Sequence, residues 1–262
     1  MTRLLGSVAV AALLGLALAG CKTTGDDVTG SIGSPAAPRA DGDWRRSLDV
    51  WGQRYRDDPG NAEAAINYAK ALRATEQRAQ AVAVLEQASL RHPHDMPLLG
   101  AYGRALADAG DYGQALNVLE RAHTPDNPDW RVLNAQGAVL DQLGRHAEAQ
   151  QHYSAALKIV PDEPSILSNL GLSYALNKNL KRAEVTLRRA VAQRNAAPKV
   201  RQNLALVVGL QGRFAEAEKI AATDLPANEA AANIDYLRTM LAQHSDIKKP
   251  GRKGLPAPDA GT

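Results

Sequence analysis

Small and apolar residues return along this chain with a period of 34. Ala81, Ala115, Ala149, Ala183 and Ala217 are each 34 residues apart, with no insertion or deletion between them. A second column in the same register is small throughout: Ala69, Gly103, Gly137, Gly171 and Ala205. A third is bulky (Leu72, Leu106, Leu140, Tyr174, Val208), and a fourth reads Leu85, Leu119, Tyr153, Leu187 and Ala221. Alanine is frequent in this sequence, so one such column could arise by chance; four in phase mark a repeat array. A surface built by stacking units, rather than a single pocket, is therefore expected to carry the function.

Within a unit the apolar residues follow the i, i+3, i+4 rule of helices. The clearest unit, 129–162, predicts a first helix A over 130–143, a turn at Gly144-Arg145, and a second helix B over 146–160 stopped by Pro161. The small column lets helix A approach helix B, where Ala149 lies opposite Gly137 and Tyr153 and Leu140 fill the surrounding space. One such hairpin cannot bury both of its faces, so the stack has to be continuous. Trp44–Asp57 reads as an unpaired helix B with Trp51 in the column of Leu85, and 228–243 reads as a closing helix with Ile234, Leu237 and Leu241 on one side.

Trp130, Leu133, Gly137, Leu140, Gly144, Ala149, Tyr153, Ala156 and Pro161 together resemble the pattern of a tetratricopeptide repeat. The resemblance covers about 62–231 as five units, and it weakens in the last, where Asp224 takes the place of a small residue. It implies an all-α tetratricopeptide-repeat solenoid of about five helical hairpins with capping helices at both ends. It also implies a concave face lined by the helices A, which binds a protein partner. Carried onto this chain, the inward positions include Lys70, Arg104, Ala138, Leu172 and Leu206 in one column and Ala74, Asp108, Gln142, Leu176 and Leu210 in another. The groove is thus expected to run from cationic to apolar. Asn67, Asn134, Asn169 and Asn203 offer amides to an extended partner backbone. Leu172, Leu176, Leu206 and Leu210 either take an amphipathic helix of a partner or lie beneath the closing helix.

Outside the array, Arg3 precedes an apolar run from Leu4 to Ala19 that ends in Leu18-Ala19-Gly20-Cys21. A charged start, a short apolar core and small residues at its end describe an export signal, and the run is shorter than the roughly 20 residues of a membrane span. Leu-Ala-Gly-Cys resembles the bacterial lipoprotein motif, which implies cleavage before Cys21 and its lipidation. Lys22 follows where the familiar inner-membrane retention signal is an Asp, so the outer membrane, facing the periplasm, is the expected location. Residues 22–42 read as a tether, and 244–262 as a basic disordered tail. The expected organisation is a signal at 1–20, lipidated cysteine and tether at 21–42, repeats at 43–243 and tail at 244–262.

Cys21 is the only cysteine, which rules out an internal disulfide and a cysteine-based metal site. The formal charge of +3 falls to +2 on removal of Arg3 with the leader, no basis for nucleic-acid binding. His92, His94 and Asp95 sit together in an inter-repeat turn, and His146 and His152 are six apart, not at the i, i+4 spacing of paired ligands. Gly171-Leu172-Ser173-Tyr174-Ala175 grazes a nucleophile elbow, but Ser173 falls inside a helix. No cofactor, small-molecule substrate or reaction is expected. The layout resembles the assembly lipoproteins of bacterial pili, in particular those of the tight adherence (Flp) system, which implies a scaffold or pilotin for a secretin or its partners. Pilotins of other type IV pilus or type II secretion machines, and periplasmic adaptors for cell-wall enzymes, share the same layout.

Overall fold

The computed structural model describes residues 41–247. The leader, Cys21, the tether up to Ala40 and residues 248–262 lie outside the described residues. Twelve helices follow one another, with no strand among the described residues: α1 Asp41–Asp57, α2 Ala62–Ala74, α3 Arg78–Arg91, α4 Met96–Ala109, α5 Tyr112–Glu120, α6 Trp130–Gln142, α7 His146–Ile159, α8 Pro164–Leu176, α9 Leu180–Val191, α10 Pro198–Leu210, α11 Phe214–Ala221 and α12 Ala227–Ile247. Helices α2 to α11 are the five A–B pairs. α1 starts two residues before the expected repeat boundary, and α12 runs four residues past Gln243 into the segment read as tail.

Each A–B turn is built the same way. The residue at one fixed place in the unit has a left-handed backbone: Glu76, Gly110, Gly144, Lys178 and Gly212, with φ between 62° and 88°. The next N–H then reaches back to the bulky column, as in Gln77 to the Leu72 carbonyl at 2.8 Å, Arg145 to Leu140 at 2.8 Å and Asn179 to Tyr174 at 2.8 Å. This closes the helix end with a Schellman-type bond. Glycine accepts that backbone freely, whereas Glu76 and Lys178 strain against their own Cβ by about 1–2 kcal/mol. Lys178→Gly should therefore stabilise the protein, by about 0.5 kcal/mol after the extra freedom of glycine in the unfolded chain is subtracted. Chemical denaturation of the two forms measures the difference.

Packing follows the columns. The five alanines at 81, 115, 149, 183 and 217 are wholly buried, and Leu85, Leu119, Tyr153 and Leu187 are 0–1% exposed. A Cβ placed on Gly103 would come within 2.4 Å of Leu119, on Gly137 within 2.6 Å of the Tyr153 ring, and on Gly171 within 2.6 Å of Leu187. The small column is thus the contact that sets the A–B distance. Between units, each helix A touches the helix A of the next, while no helix B of these units touches another. The stack therefore bends with its A helices inside.

The end of the array departs from the column pattern for a visible reason. Ala221 stands where other units carry a large residue, and the space is taken by Ala230 of α12, packed with Ala205 and Ala221. Leu237 of α12 fits over Gly209, where a Cβ would lie 2.5 Å from its Cδ2. Asp224 replaces a small residue and accepts two bonds from Arg201, at 2.6 and 2.5 Å. A charged pair substitutes there for an apolar contact. No helix among the described residues is long and apolar enough to cross a membrane.

Candidate functional site

The inner face is formed by α2, α4, α6, α8 and α10, and its two ends differ in character. At the first end the expected cationic surface is not open. Arg104 is 2% exposed; Gly100, one turn earlier on α4, leaves the room it fills, its Nη1 lying 3.4 Å from where a Cβ would stand. Lys70 holds its ammonium 5.9 Å from the Trp44 ring, and Arg73 pairs with Asp108 at 2.5 Å across the unit boundary. Charges that the sequence presents as a free surface instead join α1, α2 and α4.

The asparagines are likewise placed between units. Asn169 donates to Oδ1 of Asn134 at 3.1 Å, and Asn203 donates to Ser168 Oγ at 2.9 Å. Asn134 is fully buried, so it is a structural residue rather than an open groove position. Asn67 donates to the carbonyl of Glu63 in its own helix. Side-chain pairing between neighbouring helices A is invisible in the repeat pattern because it links position 6 of one unit to position 5 of the unit before.

The far end carries the four leucines. Leu172 and Leu176 of α8 and Leu206 and Leu210 of α10 are all partly exposed, on two helices that touch each other. None belongs to a core cluster. The closing helix α12 touches α10 and α11 and does not touch α8. It seals the end of the stack, with Ile234 and Leu237 directed into it, and does not fold back over Leu172 and Leu176. What remains is an apolar stretch on the inner side of units four and five.

One polar cluster escapes sequence reasoning. Asp141, near the end of α6, accepts the Tyr153 hydroxyl at Oδ2 (3.0 Å) and the Ser173 hydroxyl at Oδ1 (2.8 Å), and His146 Nδ1 lies 2.9 Å from Oδ1. Its side chain is 8% exposed. Burial pushes its carboxyl above the ordinary value, against the opposing effect of these bonds. Burial, followed by the Asp141 charge, holds the Tyr153 phenol well above its usual value. The cluster ties both helices of unit three to α8. The signal for it is an aspartate where the other units have Arg73, Ala107, Ala175 and Gly209, paired with the one tyrosine in a leucine column.

The remaining chemical candidates make local contacts. Asp95 caps α4 by accepting from the Leu98 N–H at 2.9 Å, and His92 Nε2 lies 2.6 Å from the Gly60 carbonyl. Ser173 is fully buried, with its hydroxyl committed to Asp141. His146 and His152 have separate surroundings: burial, then the neighbouring His123, holds the His152 ring below its usual value. On the outer side Glu184 bonds Gln211, Arg188 and Arg213. Burial works against its charge, but those three bonds prevail and lower its carboxyl to about 2.

Residues 39–103 match a family profile described as tetratricopeptide repeat, and residues 137–178 match a second described as TPR repeat. Among solved structures, the chain is similar to the APC/C hetero-tetramer Cut9-Hcn1, with 14% identity and a TM-score of 0.64 over 79% of this chain and 41% of that one. It is also similar to the human IFIT1 dimer with PPP-AAAA, at 18% identity and a TM-score of 0.61, over 79% of this chain and 52% of that one. The chain thus spans about half the length of these two. No curated protein matches it. The likenesses show the fold: two stretches of the chain match tetratricopeptide repeats, and the described residues form a tetratricopeptide-repeat solenoid.

Proposed function

We propose that the chain is a lipid-anchored scaffold or pilotin of a tight adherence (Flp) pilus machine, held at the outer membrane through Cys21 and facing the periplasm. The repeats supply a protein-binding scaffold, and the observation that carries the reading is the partly exposed apolar stretch at Leu172, Leu176, Leu206 and Leu210. Half-buried leucines at i, i+4 on two touching helices form a shallow groove suited to the apolar face of an amphipathic helix. A secretin or another assembly component is the partner that the layout favours. No reaction is assigned, since the titratable groups nearest the inner face are engaged in packing.

Leu172→Ser with Leu206→Ser should lower affinity for the partner at least tenfold, because truncating central apolar anchors removes on the order of 1–2 kcal/mol each. The helical circular dichroism and denaturation midpoint should change little, since neither leucine is in the core clusters. Crosslinking in intact cells from a photoreactive side chain at position 172, with identification of the captured protein, tests the assignment. A secretin or pilus component is the expected product. A cell-wall hydrolase or transpeptidase in its place would overturn the pilus reading and leave the scaffold.

A further inference from the structure

The first described helix keeps the packing columns of a helix B although no helix A stands beside it among the described residues. Ser47 occupies the column of Ala81, Ala115, Ala149, Ala183 and Ala217, and Trp51 the column of Leu85, Leu119, Tyr153 and Leu187. In the repeats those columns are buried against the unit's own helix A, all at 0–1% exposure. In α1 both residues stay partly exposed, and with Asp43, Arg46 and Val50 they line one open cleft. Val50 is 51% exposed. Among the described helices α1 touches only α2, against which it packs its other side through Tyr55, stacked on Tyr68 at 5.8 Å.

A hairpin partner for this face of α1 must run antiparallel and tolerate close approach at a small residue, as Ser47 is.

We propose that this partner is α1 of a second copy of the chain, related by a two-fold axis that passes between Leu48 and Asp49. An antiparallel pair about that axis sets Asp43 opposite the partner's Arg54, Arg46 opposite the partner's Trp51, and Ser47 opposite the partner's Val50, each contact occurring twice as two-fold symmetry requires. The face is complementary to itself in charge and in size. A carboxylate meets a guanidinium, a guanidinium meets an indole face, and the small Ser47 meets the protruding Val50. The groups concerned are already poised on that face: Asp43 forms an ion pair with Arg46 on the same helix, and the Arg54 guanidinium lies 4.6 Å from the Trp51 ring centre. Dimerisation through α1 leaves Leu172 and Leu206 untouched, since they lie on α8 and α10.

The test is a charge swap on the full-length chain, read by sedimentation equilibrium at concentrations up to about 100 μM, a range that detects weak pairs. The unaltered chain should be in monomer–dimer exchange. Asp43→Arg alone, and Arg54→Asp alone, should weaken the dimer at least tenfold by placing like charges opposite one another. The double variant Asp43→Arg/Arg54→Asp should restore it. Both positions lie on the outer side of α1, so the single variants should keep wild-type helical content. A monomer at every concentration, single variants that still dimerise, or a double variant that fails to recover would each overturn the proposal. None of these results bears on partner capture by the groove, which the leucine variants read separately.

Discussion

Gly137→Val should lower the stability of the protein by about 3 kcal/mol, the upper end of what overpacking a tight core costs. A Cβ at that position would stand 2.6 to 2.8 Å from three atoms of the Tyr153 ring, and the ring cannot step aside. It is 1% exposed and its hydroxyl is held by Asp141 at 3.0 Å. Any gain in helix propensity over glycine, about 0.5 kcal/mol for a β-branched residue, is small beside this. Gly113→Ala is the control: the same residue type in a helix, exposed, with nothing within 4 Å of an added Cβ, and expected to stabilise by up to about 1 kcal/mol. Gly137→Ala combined with Tyr153→Leu reproduces the Ala69–Leu85 pairing of the first unit and should recover part of the loss. Urea denaturation monitored by circular dichroism reads all three. If Gly137→Val proved as stable as the unaltered chain, the small column would not be setting the A–B distance.

Asp141→Leu should cost a similar amount, about 3 kcal/mol, through a different mechanism. It strands the Tyr153 and Ser173 hydroxyls, both buried, and each orphaned buried polar group costs about 1–3 kcal/mol. Asp141→Asn should cost less than about 1 kcal/mol, because the amide oxygen still accepts from Ser173 and the amide nitrogen can donate to the Tyr153 oxygen. The two variants together separate the hydrogen bonds from the charge. The charge has its own pH signature. Burial raises the Asp141 carboxyl above its unfolded value, so in the interval between the two values the folded protein binds more protons than the unfolded one. By linkage, stability contributed at this residue rises as pH falls through that interval and is lower above it. Glu184 acts in the opposite sense: its carboxyl is lowered to about 2, so its contribution is present above the unfolded carboxylate value and is lost as pH falls toward 2. Subtracting the stability–pH curve of Asp141→Asn from that of the unaltered chain isolates the first effect. A flat difference would show that Asp141 is not buried as a charge.

Most of the architecture is legible in the repeat pattern alone. The five hairpins, the helix before them and the closing helix all follow from columns 34 residues apart. The reason is physical: each unit solves the same packing problem, so the same residue sizes must return at the same places. The turns are legible from Gly110, Gly144 and Gly212 but not from Glu76 and Lys178, where a strained residue takes the place of glycine. The groove is only half legible. At one end Leu172, Leu176, Leu206 and Leu210 stay partly exposed. The cationic end cannot be placed from the pattern, because the fate of Lys70, Arg73 and Arg104 depends on Trp44, Asp108 and Gly100, which other units do not share.

The sequence by itself therefore determined the period, the helix pairs and the faces they bury, because those depend on local spacing and on side-chain size. The tertiary structure alone decided which polar groups are engaged inside the stack. Asp141 meeting Ser173, Asn169 meeting Asn134 and Arg201 meeting Asp224 are contacts between residues 23 to 35 positions apart. Asp141 and Asp224 also stand where the pattern is broken rather than repeated. A hydrogen bond needs its partner in place at about 3 Å, and only the stacked helices fix that distance.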